Sequence, residues 1–355
     1  MSKPNIWIFS LEPLDSRYTQ QWYTAIPKAL TDAAGDNFNV VQINGIQNTA
    51  KVTSGAFLNF SDTNYWKSSQ LCNFVELFNS GKTTTNDRFL FTDTWNPCIT
   101  QIAYMRDLMD QNWELHGIWH AGAYDPSDIL GYKMQKPWPW DAERSWFYSC
   151  DYNYYATDFH KDMFLKNLDI LPDHHYRAQT AGQPHYEIVN SLASYTNPVK
   201  SDENFVMWPH RYNQDKQPNI AHDLESDFNV IITQKHSFSK SEYYSKLAQS
   251  KIIFSCALHE NLGLSVMEGT LVGAIPVVPD RCSYKEMYLE EFKYPSKWTE
   301  NYQSYLENKA NLVNFINDKI SNYADYVPLL EKQREILIND YLTAPKMINL
   351  LTRIV

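Results

Sequence analysis

The sequence predicts an α/β protein with two αβα domains, each built around a parallel sheet. Short β-rich runs alternate with helical patterns in the first half of the chain, and the alternation starts again after a polar stretch at residues 190–204. Strands separated by helices are joined by right-handed crossovers, and such crossovers give parallel sheets. A chain of 355 residues also has the length of about two domains of roughly 150 residues each.

The first domain is predicted from runs of branched and aromatic residues that alternate with segments of helical periodicity. The predicted strands are residues 6–10, 38–43, 88–91, 115–119 and 152–156, and the predicted helices are residues 20–31, a segment around 66–78, 100–112 and 158–168. We assign residues 1–195 to this domain.

The second domain begins after the stretch 190–204, which is polar, carries a proline and lacks periodicity. Its strands are predicted at residues 205–208, 229–233, 251–256 and 275–278. One helix opens at Ser239, which fits a capping box with Glu242, and another opens after Gly263. We assign residues 196–335 to this domain and expect residues 336–355 to form a helix that packs back on the first domain. Two such sheets leave a cleft, where ligands bind at the carboxyl ends of the strands.

The composition, with 43% hydrophobic and 20% charged residues, is typical of a globular protein. No apolar run approaches the roughly 20 residues of a membrane helix, and the N-terminal segment does not resemble a signal peptide, so we expect a cytoplasmic protein. The five cysteines form no C-x-x-C pair, which predicts buried free thiols instead of disulfides or a zinc site. The formal charge of -10 argues against a uniformly basic surface for nucleic acid, but it does not exclude a local basic groove.

Several common chemistries lack their motifs in this sequence. Neither G-x-G-x-x-G nor G-x-x-x-x-G-K-[ST] occurs, so a standard dinucleotide fingerprint and a P-loop are both missing. H-E-x-x-H and G-x-S-x-G are missing as well, which removes the simplest zinc-protease and hydrolase interpretations. No D-x-D pair, which commonly holds a metal-bound sugar diphosphate, is present. We therefore expect no cofactor and no metal requirement.

Residues 252–280, IIFSCALHENLGLSVMEGTLVGAIPVVPD, are predicted to form a buried strand, a polar loop, a helix and a second strand. The backbone at the start of this helix comes from Asn261, Leu262, Gly263 and Leu264. N–H groups at a helix N-terminus favour an anion, and a diphosphate fits that description. Glu260 precedes the helix, and Glu268 lies in its second turn among apolar residues. Glu268 could be an ordinary solvated residue, but a buried carboxylate needs partners, which favours a binding role.

Two cations follow the first strand of the second domain, in the segment FVMWPHRYNQDKQP. Arg211 and Lys216 fall just after the strand, at the carboxyl end of the sheet. Cations at this position could neutralise a diphosphate and stabilise the charge that develops as it leaves. Either residue alone could be a solvated loop residue, and their shared position favours the functional interpretation.

These segments resemble the retaining glycosyltransferases of the GT-B fold, in which two Rossmann-like domains face each other across a cleft. The motif of that family is a Glu, seven residues and a second Glu, followed by a small-residue turn and a P-V-V strand. Here Glu260, Glu268, Gly273 and residues 276–278 stand at those places. The resemblance implies that Glu260 contacts the donor sugar, that Glu268 binds the nucleotide ribose, and that the amides between them bind the sugar and phosphates. It also implies a phosphate clamp formed by an Arg and a Lys, here Arg211 and Lys216.

Shorter strings look like the tRNA-queuosine mannosyltransferase-like branch of this superfamily and its DNA-modifying relatives in phages. They are WPHRYNQDKQP, then RSWFYSCDYNYYATDFHKDMFL at residues 144–165, interpreted as a strand and a helix, and LPDHHYR. The loop IWHAGAYDPSDILG departs from that pattern, where a His-Glu-Asn type loop is expected. The donor side of the resemblance therefore has more support than the acceptor side.

Candidate residues in the first domain lie at predicted strand ends. His120 follows a strand and could contact the donor sugar or the incoming hydroxyl, although a lone histidine is often structural. Asp93 is a candidate general base that could equally cap a turn. The candidate acceptor-side residues, which could also be merely solvated, are Glu12, Asp15, Arg17, Tyr18, Tyr124 and Asp125.

The leading hypothesis is a retaining, metal-independent glycosyltransferase that uses a nucleotide-diphosphate sugar, UDP- or GDP-linked. The resemblance implies an acceptor hydroxyl on a modified nucleobase of tRNA or DNA. A basic patch with aromatic residues for stacking would support that acceptor, and it would need to form from Arg17, Lys133, Lys136, Arg144, Lys161, Trp138 and Trp140. Three alternatives stay open: transfer to a small molecule or surface polysaccharide, a non-catalytic binding protein on the same scaffold, and a sugar-phosphate epimerase.

Overall fold

The computed structural model describes residues 3–14, 18–47, 59–195, 200 and 205–354. The chain divides into two compact units, one formed by Met1–His185 with Thr343–Val355 and the other by Tyr186–Leu342. Each unit is built around a parallel sheet with helices packed against it. The predicted α/β class with two parallel-sheet domains is therefore confirmed.

The strands of the first unit are β1 (Asn5–Phe9), β2 (Asn39–Ile43), β3 (Arg88–Phe91), β4 (Glu114–Ile118), β5 (Tyr152–Tyr155) and β6 (Ala178–Thr180). They pair in parallel in the order β2-β1-β3-β4-β5-β6. The helices between them are α1 (Tyr18–Ala34), α2 (Phe60–Asn79), α3 (Cys98–Leu108), α4 (Ile129–Lys133), α5 (Pro137–Ser149) and α6 (Asp158–Asn167).

Both faces of the first sheet are buried. Along β1, Trp7 and Phe9 pack on one face with Phe74 of α2, whereas Ile6 and Ile8 pack on the other face with residues of α1. A strand buried on both faces is apolar along its whole length, which is why β1 could be recognised in the sequence.

The strands of the second unit are β7 (Phe205–Trp208), β8 (Asn229–Ile232), β9 (Ile252–Phe254), β10 (Ile275–Pro279) and β11 (Lys293–Tyr294), in the parallel order β11-β10-β9-β7-β8. The remaining helices are α7 (Tyr186–Leu192), α8 (Pro218–Asp223), α9 (Lys240–Gln249), α10 (Leu264–Leu271), α11 (Tyr284–Met287), α12 (Tyr302–Ser321), α13 (Tyr323–Ile336) and α14 (Pro345–Thr352). Both halves of the capping box predicted at Ser239 and Glu242 are formed at the start of α9.

The boundaries between the two units along the sequence differ from the predicted boundaries of 195/196 and 335/336. Helix α7 packs against α10 and so belongs to the second unit, and the π-helical turn Leu337–Leu342 continues α13. Helix α14 belongs to the first unit, where it packs against α1 and where Arg88 donates to the carbonyl of Leu351 at 2.7 Å. The predicted linker lies largely outside the described residues.

Helix α5 is the longest helix of the first unit that the sequence did not predict, and the strand-and-helix pair expected at residues 144–165 begins instead in its second half. Pro137 and Pro139 resemble helix breakers in the sequence, yet both lie in the first turn. A proline costs little there because the N–H that it lacks would have no helical partner. The short elements α4, β6 and α7 were missed as well.

The cysteine prediction is partly wrong. All five cysteines are free, and Cys98, Cys150 and Cys256 are buried, but Cys72 is exposed and Cys282 is half-buried.

Within the described residues, no helix is both long and apolar enough to cross a membrane.

Candidate active site

The loop between β9 and α10 turns sharply at Gly263, whose φ of +78° lies in the left-handed region. A Cβ at this position would meet Cε1 of Tyr284 at 2.8 Å, so both the backbone conformation and the space require glycine. Among the described residues no side chain caps the start of α10. The helix begins at Leu264, two residues after the buried Leu262, and its first N–H groups are therefore available to an anion.

Lys216 fixes the loop that carries Glu260. This buried lysine lies in the turn after β7, and its Nζ donates to the carbonyl of His259 at 2.6 Å and to Oε2 of Glu260 at 3.1 Å. Asp215 lies 3.0 Å from the same Nζ. Burial lowers the pKa of Lys216, but the attraction of Glu260 and Asp215 outweighs it, and the pKa is raised overall. Lys216 therefore stays charged and orients Glu260.

Arg211 differs from Lys216 although both follow β7. Its side chain is exposed, and it makes no ion pair with any described residue. An unpaired guanidinium offers up to five donors to an anion. The structure therefore divides the expected pair into an unpaired cation, Arg211, and an internal positioning residue, Lys216.

Glu268 lies on α10 and points toward α9. Its carboxylate accepts hydrogen bonds from the hydroxyls of Tyr243 at 3.1 Å and Tyr244 at 3.3 Å. Burial raises the pKa of Glu268 to about 7, and the two tyrosine hydroxyls oppose that rise only in part. The half-buried carboxylate thus has partners, as expected of a glutamate within a packed helix. Asn261 lies half-buried in the loop before the helix.

His120 follows β4 in the first unit and its tautomer can be deduced. Its Nε2 lies 2.8 Å from the carbonyl of Thr92, which can only accept, so Nε2 carries the proton. Nδ1 is then the acceptor, with long contacts to the hydroxyl of Tyr18 at 3.4 Å and to Nε2 of Gln183 at 3.5 Å. Burial lowers the pKa of His120, although Asp93 and the Thr92 carbonyl oppose this effect. The residue is a neutral imidazole with its lone pair on Nδ1.

Asp93 is paired with a buried lysine that sequence analysis did not single out. Nζ of Lys67 lies 3.0 Å from Oδ2 of Asp93 and also donates to the carbonyl of Trp95. Burial acts to raise the pKa of Asp93, but Lys67, together with His120 and the N–H of Trp95, outweighs it and the pKa is lowered overall. A carboxylate with a lowered pKa is a weak base. Asp93 also accepts the backbone N–H of Trp95 at 3.1 Å, which is the turn-capping alternative.

The candidate acceptor-side residues do not form one group. Tyr124 and Asp125 are each 1% exposed, and the Tyr124 hydroxyl is hydrogen-bonded to His160 within the core, so neither side chain can contact an acceptor in this conformation. Glu12 is buried and accepts from the hydroxyl of Thr63 at 2.9 Å. Tyr18 reaches His120 as described above, while Asp15 and Arg17 lie outside the described residues.

Glu143 is a second residue that the sequence did not reveal, because it lies on the unpredicted helix α5. Its carboxylate accepts the N–H groups of Ala123 at 2.5 Å and Tyr124 at 3.0 Å, and Nε1 of Trp95 at 2.6 Å. Burial raises the pKa of Glu143 to about 7. Glu143 thus joins the loop after His120 to the loop after Asp93.

Metal ligands form no cluster in the described parts of the chain: no group of three or more His, Cys, Asp or Glu side chains there could hold an ion. The half-buried carboxylates of Glu260 and Asp93 are each engaged by a lysine, and the buried carboxylate of Glu143 is engaged by N–H groups.

Comparison with known proteins places this architecture among glycosyltransferases. No protein-family profile matches the sequence. The tRNA-queuosine alpha-mannosyltransferase of Drosophila melanogaster is 22% identical over 166 residues, which is 38% of this chain and 40% of that enzyme, so the match spans less than half of its length.

Several solved structures match over nearly the whole chain. Sucrose-phosphate synthase from Thermosynechococcus elongatus has a TM-score of 0.59 and 13% identity, and covers 98% of each chain. An alpha-glucosyltransferase in complex with UDP-glucose and DNA containing an abasic site has a TM-score of 0.57 and 12% identity, over 99% of this chain and 100% of its own. The fold of this chain is therefore the GT-B fold of glycosyltransferases.

Proposed function

We propose that this protein transfers a sugar from a nucleotide-diphosphate sugar, UDP- or GDP-linked, to a hydroxyl group. The observation that carries the proposal is the Lys216–Glu260 pair at the start of α10, because it holds a carboxylate beside helix N–H groups that favour a diphosphate. The shared GT-B fold and the match to the mannosyltransferase support the same chemistry.

In this proposal the second unit binds the donor. The N–H groups of α10 and the unpaired Arg211 hold the diphosphate and stabilise its charge as it leaves. Glu260, oriented by Lys216, accepts hydrogen bonds from the sugar and stabilises positive charge at the anomeric carbon. Glu268 accepts from the ribose hydroxyls through the remaining lone pairs of its two oxygens, each of which already accepts from one tyrosine hydroxyl.

The proposed reaction retains the anomeric configuration and needs no metal. The acceptor oxygen forms its bond to the anomeric carbon on the face from which the diphosphate leaves, and its proton passes to the departing phosphate oxygen. A strong protein base is then unnecessary, which agrees with the lowered pKa of Asp93. His120 contributes a hydrogen-bond acceptor at Nδ1 for a sugar or acceptor hydroxyl.

The acceptor that we propose is a hydroxyl on a modified nucleobase of tRNA or DNA. Support comes from two similar proteins: the Drosophila enzyme is named for tRNA-queuosine, and the alpha-glucosyltransferase was solved with DNA. Transfer to a small molecule or polysaccharide is the alternative within the same chemistry.

The test combines donor binding with transfer. We expect one of UDP, GDP, ADP and CMP to raise the melting temperature of the wild type, because a ligand that binds only the folded state stabilises it. The shift should vanish in Glu268→Ala and Arg211→Ala, whose folding is checked by circular dichroism. The matching hexose donor is then incubated with tRNA or hydroxymethylated DNA in EDTA, and the anomeric linkage is read by NMR. If no nucleotide binds, or both variants bind as the wild type does, the donor site is wrong.

A further inference from the structure

A short exposed segment of the first unit combines aromatic rings with cations. The residues concerned, which we call the aromatic–lysine surface, are Tyr132, Lys133, Lys136, Trp138 and Trp140. The three rings are 54%, 52% and 44% exposed in that order, and both lysines are exposed. Large aromatic side chains usually bury most of their area, so three exposed rings within nine positions need an explanation.

The two tryptophans are held by their neighbours. Nε1 of Trp140 donates to the carbonyl of Ala123 at 2.9 Å, which satisfies the only polar atom of the ring. Trp138 contacts Trp95 edge-to-face with ring centroids 6.3 Å apart. The indole N–H of Trp95 donates to Glu143, and its backbone N–H donates to Asp93. The two tryptophan rings therefore lose little freedom when a flat ligand stacks on them, and Trp138 is connected through Trp95 to the loop that carries Asp93.

The charge of this surface is positive although that of the whole chain is -10. No acidic residue lies between Asp128 and Asp141, and neither Lys133 nor Lys136 makes an ion pair within the described structure. Two other cations expected to join a basic patch are already neutralised, since Arg144 pairs with Asp141 and Lys161 with Asp158.

The start of helix α5 adds to the positive potential. The helix spans 13 residues, begins after Lys136 and has no acidic residue in its first turn. Its dipole therefore favours an anion next to the two lysines, although Pro137 and Pro139 contribute no N–H donors.

We propose that the aromatic–lysine surface binds unpaired bases of a single-stranded nucleic acid, with Trp138 stacked on a base and the two lysines beside phosphates. This inference rests on the proposed function and names the element that would hold the acceptor strand. Stacking needs the flat face of a base, which a duplex hides, so the strand must be unpaired at this point. Neutral sugars also stack on tryptophan, but they carry no charge for the two unpaired lysines to neutralise.

The test measures the anisotropy of a fluorescein-labelled single strand of about 12 nucleotides, since sites of this kind cover roughly 4 to 16. We expect Trp138→Ala to weaken binding about tenfold, as stacking on one ring contributes about 1 to 3 kcal/mol. The double variant Lys133→Ala, Lys136→Ala should reduce the magnitude of the slope of log affinity against log salt concentration by about 1.5. The matched control is Tyr104→Ala, since Tyr104 of α3 is 67% exposed but has no part in this surface.

Two results would overturn the inference. One is binding of the strand that the tryptophan and lysine variants leave unchanged, or that Tyr104→Ala weakens equally. The other is competition by a neutral glucan fragment at the concentration at which the strand binds, which would assign the surface to polysaccharide. Nucleotide binding by the wild type, measured by thermal shift, separates the two proposals. If a nucleotide binds but the strand does not, only this inference fails. If no nucleotide binds, the proposed donor site fails.

Discussion

Lys216 donates to Glu260 across 3.1 Å and so joins the turn after β7 to the loop before α10. The two residues lie in the loops that follow neighbouring strands of the sheet, since β7 pairs with β9. The ammonium group also binds the carbonyl of His259, so the loop is held through its backbone as well as through the carboxylate. A carboxylate fixed in this way needs no reorganisation when a ligand arrives, which is the form of preorganisation that electrostatic catalysis requires.

The stability of this pair gives the first prediction. Lys216→Met should lower the free energy of unfolding of the second unit by about 3 kcal/mol, because Asp215 and Glu260 would lose their counter-charge in a largely buried place. Lys309→Met is the control, since Lys309 pairs with Asp223 and Asp227 at the surface and should cost less than about 1 kcal/mol. Urea unfolding measures both, and equal losses would contradict the positioning role.

The turn at Gly263 gives the second prediction. Gly263→Ala combines a left-handed backbone with a 2.8 Å approach to Tyr284, so the start of α10 must shift. We expect nucleotide affinity to fall at least about tenfold, equivalent to about 1.4 kcal/mol. Gly81→Ala has a similar φ of +69° but nothing within 4 Å of the new Cβ, and should leave affinity unchanged in calorimetric titration. If the two variants bind equally well, the anion site does not lie at this helix start.

The burial of Glu268 predicts a dependence of stability on pH. Its pKa rises from 4.5 to about 7 on folding, so the folded state favours the protonated form. The stabilisation is complete below pH 4.5 and is lost as the pH rises through 7. Glu268→Gln cannot titrate, so the stability of the wild type relative to this variant should decrease between pH 4.5 and 7. Parallel unfolding curves for the two proteins across that range would contradict the prediction.

Much of the second unit could be predicted from the sequence because its information is local. The strand before Glu260, the glycine at the turn and the helix that follows are contiguous, and Ser239 and Glu242 are three residues apart. The partners of these groups could not be predicted, since Lys216 lies 44 residues before Glu260 and Tyr243 lies 25 before Glu268. Lys67 and Glu143 were missed for the same reason: nothing in the neighbouring residues shows that either will be buried against a distant loop.

The tautomer of His120 gives the last prediction. Because Nε2 donates to Thr92, only Nδ1 can accept a proton or a hydrogen bond from a sugar or acceptor hydroxyl. His120→Gln should lower kcat by about a hundredfold to a thousandfold, the range expected for one catalytic hydrogen bond or proton acceptor. His116→Gln is the matched control, because His116 on β4 is also buried and neutral but bonds only within the core, to Tyr154 and Glu114 at 2.7 Å each.

The pH profile separates a catalytic His120 from a structural one. The lone pair on Nδ1 is lost only when the ring is protonated, and burial lowers the pKa of His120 below 6.5, so activity should be constant above that pH and fall below it. Release of nucleoside diphosphate from the sugar donor measures kcat across the range. A loss of activity in His116→Gln as large as that in His120→Gln would mean that both histidines only support the sheet. The same fall at low pH in the two variants would lead to the same conclusion, because a glutamine in place of His120 cannot take up a proton in this range.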